Sequence, residues 1–261
     1  NFHERGWEVY ATARTPSDID DLADQGMETL ELDVTVDEDC VDAVETVVEE
    51  EGGIGCLVNN AGYGEMGTVE DLGVENFHAQ LDVNTYGPYR LMRASFPHMR
   101  NQGDGTVINM SSVGGQLAQP GLAAYCASKF ALEALSDSAR AEVKRFGVDV
   151  VLIEPGPVQT QFTEKAEDSI SEHSDGGPYQ DLYERIEEFN DSIGDREGSD
   201  LMTGLMGKIT VSPDRVAEVI VEAAEDSNPK PRYKVSVPHR IMGMGRFVPD
   251  RVRDWAFNQT F

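Results

Sequence analysis

The sequence predicts an α/β fold, a doubly wound parallel sheet with helices on both faces. Three observations carry this. Short apolar or β-branched runs alternate with longer stretches of helical period, the pattern of strand–helix–strand units. Two of those runs, 106–110 and 148–153, are rich in apolar residues, as expected of buried strands. Several helical stretches stop at a glycine (Gly26, Gly52, Gly147), the residue that most readily closes a helix in the left-handed conformation.

In chain order, residues 2–5 read as the end of a helix stopped at Gly6, and 8–13 as a buried strand. A short helix over 16–25 ends at Gly26, and Thr29-Leu30-Glu31-Leu32-Asp33 is a strand. The spacing of Val41, Val44, Val47 and Val48 places an apolar side on a helix over 37–51, stopped by Gly52-Gly53. Residues 54–59 form the next strand. Residues 74–99 form a long helix, bent near Gly87-Pro88. The strand 106–110 is followed by a long helix over 123–146 and the strand 148–153, closed by Glu154-Pro155-Gly156. The stretch 157–211 is acidic and poor in strand pattern, with one amphipathic piece at 178–193. Ser212-Pro213 is an N-cap followed by proline at the first helical position, opening a helix to about residue 225. A last strand spans 233–237. The tail 239–261 is expected to carry a helix, with Pro249 at its first position and a cluster of arginines, methionines and aromatics.

At 261 residues the chain suits one domain, 1–261, with a full core. The formal net charge of −27 argues against nucleic acid and anionic membranes as partners. No stretch approaches the roughly 18 uninterrupted apolar residues of a membrane span. The opening residues lack a signal-peptide pattern. Cys40, Cys56 and Cys126 have neither metal-ligand spacing nor an even count, which suits a reducing, cytoplasmic setting. His3, His78, His98, His173 and His239 are scattered, so no metal site is expected. The acidic, lysine-poor composition resembles that of proteins from extreme halophiles, where concentrated salt screens self-repulsion.

The chemistry centres on Tyr125 and Lys129. Four residues apart on a helix, they share a face. A free Tyr has a pKa of about 10, and a neighbouring ammonium is expected to lower it. Ser112 follows the strand 106–110. Ser111-Ser112 before Tyr125-x-x-x-Lys129, with Asn59-Asn60-Ala61-Gly62 upstream, resembles the short-chain dehydrogenase/reductase superfamily over about residues 6–233. The resemblance implies a Rossmann-type fold and an oxidoreductase that moves a hydride between NAD(P)(H) and a small carbonyl or secondary-alcohol substrate. Tyr125 would be the acid-base group. Lys129 would lower its pKa and hold the nicotinamide ribose, and Ser112 would donate to the substrate oxygen. Asn84, in Asp82-Val83-Asn84-Thr85-Tyr86-Gly87, would help hold a water beside the lysine. Ser111 is read as structural, and Cys126, about 100° round the helix from Tyr125, as packing.

Cofactor contacts follow from the same resemblance. Asn59, Ala61 and Gly62 would line the adenosine-ribose side. Asp33 and Val34 would meet the adenine, although Asp33 reads equally as a helix-capping signal. Pro155, Gly156, Val158 and Thr160 match the segment that contacts the nicotinamide. Where NAD enzymes of this architecture close the second strand with an acidic residue, this chain has Ala13 and then Arg14. Arg14 is suited to a 2′-phosphate, or is simply solvated, so NADP(H) is favoured, with NAD(H) the alternative. The stretch 157–211 falls where the superfamily places its substrate loop, and Phe162, Tyr179, Met202, Leu205 and Met206 are candidates for an apolar lid. The helices 74–99 and 123–146 would form a homo-oligomer interface, with Leu132, Leu135 and Val143 as surplus apolar residues.

Two features depart from the pattern. Residues 8–13 correspond to the superfamily's second strand, so the first strand and its Gly-rich phosphate turn are expected to be missing from this sequence. That would leave a slot in the sheet and weaken stability and cofactor binding. Gly62-Tyr63-Gly64-Glu65-Met66-Gly67 matches G-x-G-x-x-G, but Glu65 would repel a pyrophosphate, and these glycines are read as a close-approach wall. The alternatives to an active oxidoreductase are an inactive fragment and a non-catalytic dinucleotide-binding sensor on the same fold.

Overall fold

The computed structural model describes residues 1–156, 177–194, 211–235 and 248–260. In order, its regular elements are β1 (Tyr10–Ala13), α1 (Asp20–Ala23), β2 (Glu28–Glu31), α2 (Asp37–Glu51) and β3 (Cys56–Asn59). There follow α3 (Val74–Leu81), α4 (Gly87–Gln102), β4 (Gly105–Met110), α5 (Ala123–Val143) and β5 (Val148–Glu154). The last are α6 (Gln180–Gly194), α7 (Pro213–Glu225), β6 (Arg232–Lys234) and α8 (Asp250–Thr260). All pairings between these strands are parallel. β1 and β2 form one sheet, and β3-β4-β5-β6 form a second. The result is an α/β Rossmann-like fold in a single domain. β1 and β3 are not hydrogen-bonded to each other, and no described strand lies between them.

Residues of β4 and β5 are buried on both faces because helices cover both. Val107, Ile108, Val148, Leu152 and Ile153 are each 0 % exposed. Each such side chain contributes roughly 1.5–3 kcal/mol by leaving water. On one face α2, α4 and α5 pack Cys40, Val44, Leu91, Met92, Met99, Ala139 and Val143 against Val107 and Val150. On the other, α7 packs Val216, Val219 and Ala223 against Ile108, Val151 and Ile153. The buried face of α2 is centred on Cys40 and Val44. Val41, one residue round from Cys40, falls on the rim and is 46 % exposed. Leu132 and Val143 are buried within the chain, and Val143 and Leu135 belong to the cluster packed on the sheet, so these three are not surplus exposed residues.

The expected long helix 74–99 is interrupted earlier than Gly87-Pro88. Residues Asp82–Tyr86 form a π-helical turn between α3 and α4. Such a turn widens the helix by one residue and is frequent at functional sites. The short helix expected over 16–25 is a 3-10 turn, Pro16–Ile19, followed by α1. Gly147, at φ 82°, ends the α5 segment; a Cβ there would collide with the Gly103 carbonyl oxygen. Ser212 caps α7, its hydroxyl accepting from the Arg215 amide. Pro249 precedes α8 rather than starting it, and its carbonyl accepts from the Val252 and Arg253 amides. Among the described residues no helix is long and apolar enough to cross a membrane.

Candidate active site

The parallel sheet delivers the loops after β3 and β4 to one edge, where α5 begins. Parallel order puts the strand C-termini together, and this is where open α/β sheets build their sites. β4 runs in extended form through Ser111, whose amide donates to the Ile153 carbonyl. Ser112 then caps a 3-10 turn, Val113–Gly115, with its Oγ accepting from the Gly114 amide at 3.1 Å. The Ser112 side chain also stands near enough to the Tyr125 phenol to lower its pKa through hydrogen bonding. Gly114 lets this contact form, since a Cβ there would stand 2.9 Å from the Tyr125 ring.

One turn along α5, Lys129 is 6 % exposed. Its Nζ donates to the Met110 carbonyl at 2.8 Å and lies 5.8 Å from the Tyr125 ring centroid. Burial outweighs the pairing expected from the sequence. It pushes the Tyr125 phenol up to about 12, against a smaller lowering by the Ser112 hydrogen bond. It pushes the Lys129 ammonium down to about 8. The resting phenol is therefore neutral, and whatever lowering Lys129 provides does not dominate burial. Desolvation disfavours the charged form of both groups and is the largest influence on each.

Asn84 sits in the π-helical turn, 1 % exposed. Its Oδ1 accepts from the Tyr63 amide at 3.1 Å, and its Nδ2 donates to the Tyr63 carbonyl at 2.9 Å and to Ser128 Oγ at 3.1 Å. The side chain is thus spent on protein partners, tying the loop after β3 to α5. Gln80, one turn earlier and 0 % exposed, holds the same loop through the Tyr63 carbonyl and the Glu65 amide. Ser128 in turn donates to the Tyr125 carbonyl at 2.7 Å, and Thr85 Oγ1 donates to the Ser128 carbonyl at 2.9 Å. The sequence reading missed Gln80, Thr85 and Ser128. The available signal was a pair of amides, Gln80 and Asn84, at helical spacing.

Gly62 belongs to the group: a Cβ there would lie 3.1 Å from Asn84 Oδ1 and 3.6 Å from Lys129 Nζ. The glycine-rich stretch opens no helix. Gly67 instead bridges to Leu122 just before α5, and the next helix starts at Val74. Asn60, Ala61 and Gly62 are exposed at the sheet edge. Asn59 is 4 % exposed, donates to Asn109 Oδ1 at 2.7 Å, and has an Oδ1 that accepts nothing from the described residues.

The remaining candidates lie elsewhere in the chain. Arg14 is exposed just past β1, near enough to Asp33 to act on its charge. Asp33 lies beyond the end of β2, not in it. Its Oδ1 accepts from the Thr35 amide at 2.9 Å and the Thr35 hydroxyl at 2.7 Å, which holds the carboxyl below its usual range. This is a turn-forming aspartate, not a helix cap: α2 starts at Asp37. Val34 is fixed against Gly87 and Arg90. Pro155 and Gly156 follow β5, whereas Val158, Thr160, Phe162, Met202, Leu205 and Met206 lie outside the described residues. Tyr179 is tethered to Glu70 at 2.8 Å, and Tyr183 and Ile186 of α6 pack on Met66. Cys126 is 2 % exposed, buried in the packing away from Lys129. No group of metal-ligating side chains occurs among the described residues.

The chain is 34 % identical over 247 residues to human 17-beta-hydroxysteroid dehydrogenase type 1, covering 88 % of this chain and 69 % of that one. It is 38 % identical over 208 residues to an NADPH-dependent 1-acyldihydroxyacetone phosphate reductase of Schizosaccharomyces pombe, covering 73 % and 70 %. A solved short-chain dehydrogenase from Streptomyces avermitilis superposes with a TM-score of 0.72 at 28 % identity, over 97 % of this chain and 86 % of that one. The short chain dehydrogenase profile matches residues 1–171, and the chain belongs to that family of oxidoreductases.

Proposed function

We propose that the chain interconverts a carbonyl and a secondary alcohol with NADP(H), using Tyr125, Lys129, Ser112 and Asn84. The observation that carries this is the convergence of Ser112 and Tyr125 beside the buried Lys129, whose Nζ lies 5.8 Å from the Tyr125 ring centroid. The residues present fit a dinucleotide. The edge at Asn60, Ala61 and Gly62 is open, Asn59 Oδ1 is a buried acceptor lacking a donor among the described residues, and Gly62 keeps the approach to Lys129 clear. Asn59, Ala61, Gly62, Asp33, Val34, Pro155, Gly156, Val158 and Thr160 would hold it, with Arg14 on a 2′-phosphate. NADPH, when bound, supplies the hydride.

In the reductive direction Tyr125 Oη gives its proton to the substrate oxygen, and Ser112 Oγ donates a hydrogen bond as charge develops there. A phenol held at about 12 is fully protonated at neutral pH, ready to act as the acid. Lys129 acts after that transfer, when its ammonium stabilises the tyrosinate across a site of low dielectric. Asn84 ties the loop at Tyr63 to α5 and Gln80 ties it to α3, which fixes one wall. The NADPH dependence of the yeast relative supports the cofactor preference, and the steroid dehydrogenase relative supports an apolar alcohol or ketone. The substrate class rests on that likeness.

We further propose a homo-oligomer. Its support is a set of exposed apolar side chains, Val74, Phe77, Tyr86, Tyr89 and Phe130, along α3, α4 and α5. We also propose adaptation to high salt, from the net charge of −27. The test of the reaction is NADPH oxidation over a ketone panel in concentrated KCl. Tyr125→Phe is expected to lose at least roughly 10²-fold in kcat while retaining dinucleotide affinity, because only the transferable proton is removed. Turnover retained in this variant would remove Tyr125 from the acid-base role.

A further inference from the structure

Behind Ser112 lies a group of charged side chains that the proposed reaction does not use. Extended backbone turns successive side chains to opposite sides. Ser112 therefore faces Tyr125, while Ser111 faces away and donates to Glu133 Oε1 at 2.5 Å. Glu133 lies on α5, one turn beyond Lys129 and two beyond Tyr125, and is 7 % exposed. Its Oε2 receives both Nε and Nη2 of Arg232, at 3.0 and 2.9 Å. Arg232 stands on β6, 99 residues away in sequence. The same guanidinium lies 3.1 Å from Glu154 Oε1, at the end of β5, a residue 0 % exposed. Glu154 Oε1 in turn accepts from Gln116 Nε2 at 2.7 Å.

The turn 111–116, which carries Ser112, is thus held at both ends. Ser111 at its start is tied to Glu133, Gln116 at its end is tied to Glu154, and one arginine holds both carboxylates. Gly115, between them, lets the turn lie against the helix. A Cβ there would come within 2.8 Å of Ser111 Oγ, 3.0 Å of Glu133 Cγ and 3.2 Å of the Lys129 carbonyl oxygen. The other charges facing the group are Asp137, which shares Arg232 at 2.8 Å and pairs with Arg140, and Lys234, 3.5 Å from Gln116 Oε1.

Stability alone is a poor account of such a group. A buried ion pair often adds little over an apolar core of the same volume, because desolvation offsets the attraction. Its directional bonds instead fix where the attached backbone can lie. Burial, with Glu154 alongside, holds the Glu133 carboxyl above its usual range despite the bonds from Ser111 and Arg232. The arrangement therefore depends on Arg232 to keep both carboxylates in place.

We propose that Glu133, Arg232 and Glu154 form a positioning clamp on the turn 111–116, and that Ser111 is the link through which it sets the Ser112 hydroxyl against Tyr125. Its importance for turnover rests on the reaction proposed above, but its test does not need turnover. Protein labelled with ¹³Cζ-tyrosine reports the Tyr125 hydrogen bond directly, and the Tyr125 resonance is assigned by its loss in Tyr125→Phe. Ser112→Ala marks the position of the resonance without that bond. Ser111→Ala is expected to move it at least half of the way to that position. Ser111→Thr, which restores the hydroxyl, should return it to the wild-type position.

The clamp is refuted if Ser111→Ala leaves the resonance at the wild-type position, or if Ser111→Thr displaces it as far as Ser111→Ala does. Should Ser111→Ala not fold, Arg232→Lys is read in the same way. It keeps the charge and loses the two-pronged geometry, so a wild-type resonance there refutes the clamp equally. A clamp confirmed in a protein without ketone reductase activity would count against the proposed reaction and not against the clamp.

Discussion

Replacing Lys129 by Met should make the folded protein more stable at neutral pH, and the gain should disappear as the pH rises. Lys129 is 6 % exposed, and burial moves its ammonium from 10.5 to about 8. At about 1.36 kcal/mol per pH unit, that difference corresponds to roughly 3 kcal/mol of cost for keeping the charge inside the fold. Methionine fills a similar volume without the charge. It forfeits the hydrogen bond to the Met110 carbonyl, seen at 2.8 Å, and a bond from a charged donor contributes roughly 1.5–3 kcal/mol. The net gain near pH 7 is therefore small, on the order of 1 kcal/mol.

The pH dependence of the comparison is the sharper reading. Between about 8 and 10.5 the unfolded wild type still carries the lysine proton and the folded form has lost it. Stability rises with pH wherever the unfolded state binds more protons, so the wild type gains roughly 3 kcal/mol relative to the Lys129→Met variant across that window. Tyr125 works in the opposite direction from about 10 to 12, where the folded form keeps a proton that the unfolded chain loses. It is present in both proteins and leaves the difference nearly untouched. The assay is guanidinium unfolding of both proteins at fixed, high ionic strength from pH 7 to 10.5. A stability difference that stays flat across this range would refute the claim that Lys129 is held by burial against its charge.

Three further outcomes are expected. Arg14→Ala should weaken NADPH far more than NADH, by roughly 1.5–3 kcal/mol for a charge-assisted phosphate contact; equal losses in a binding titration would remove Arg14 from that role. Lowering KCl from several molar to about 0.1 M lengthens the Debye length to about 10 Å, so the unfolding temperature should fall as self-repulsion grows; an unchanged midpoint would count against salt adaptation. Light scattering in high salt should give a multiple of the 28.7 kDa chain mass, and Phe130→Glu with Tyr89→Glu should shift it toward the monomer.

Sequence alone determined what depends on local pattern. The order of strands and helices follows from hydrophobic period and from stops such as Gly147, and the structure departs from it mainly at the ends of elements. Tyr125 and Lys129 were legible as neighbours because helical spacing fixes their relation whatever surrounds them. Ser112 was legible because it follows a run that can only be a buried strand. Tertiary structure decided the rest, because burial and pairing sum over residues far apart in the chain. The sequence put an ammonium beside a phenol and implied attraction; only packing showed that lost hydration outweighs it and moves the two pKa values apart. A mid-helix Asn84 carries no sign that the helix opens by one residue around it to reach Tyr63 and Ser128. Nothing near Glu133 announces Arg232, since the contact exists only because β6 pairs with β5 and brings its side chain over the middle of α5. Val41 and Leu132 make the same point in the core. Both sit at helical spacing, and which one meets water depends on which helix lies opposite.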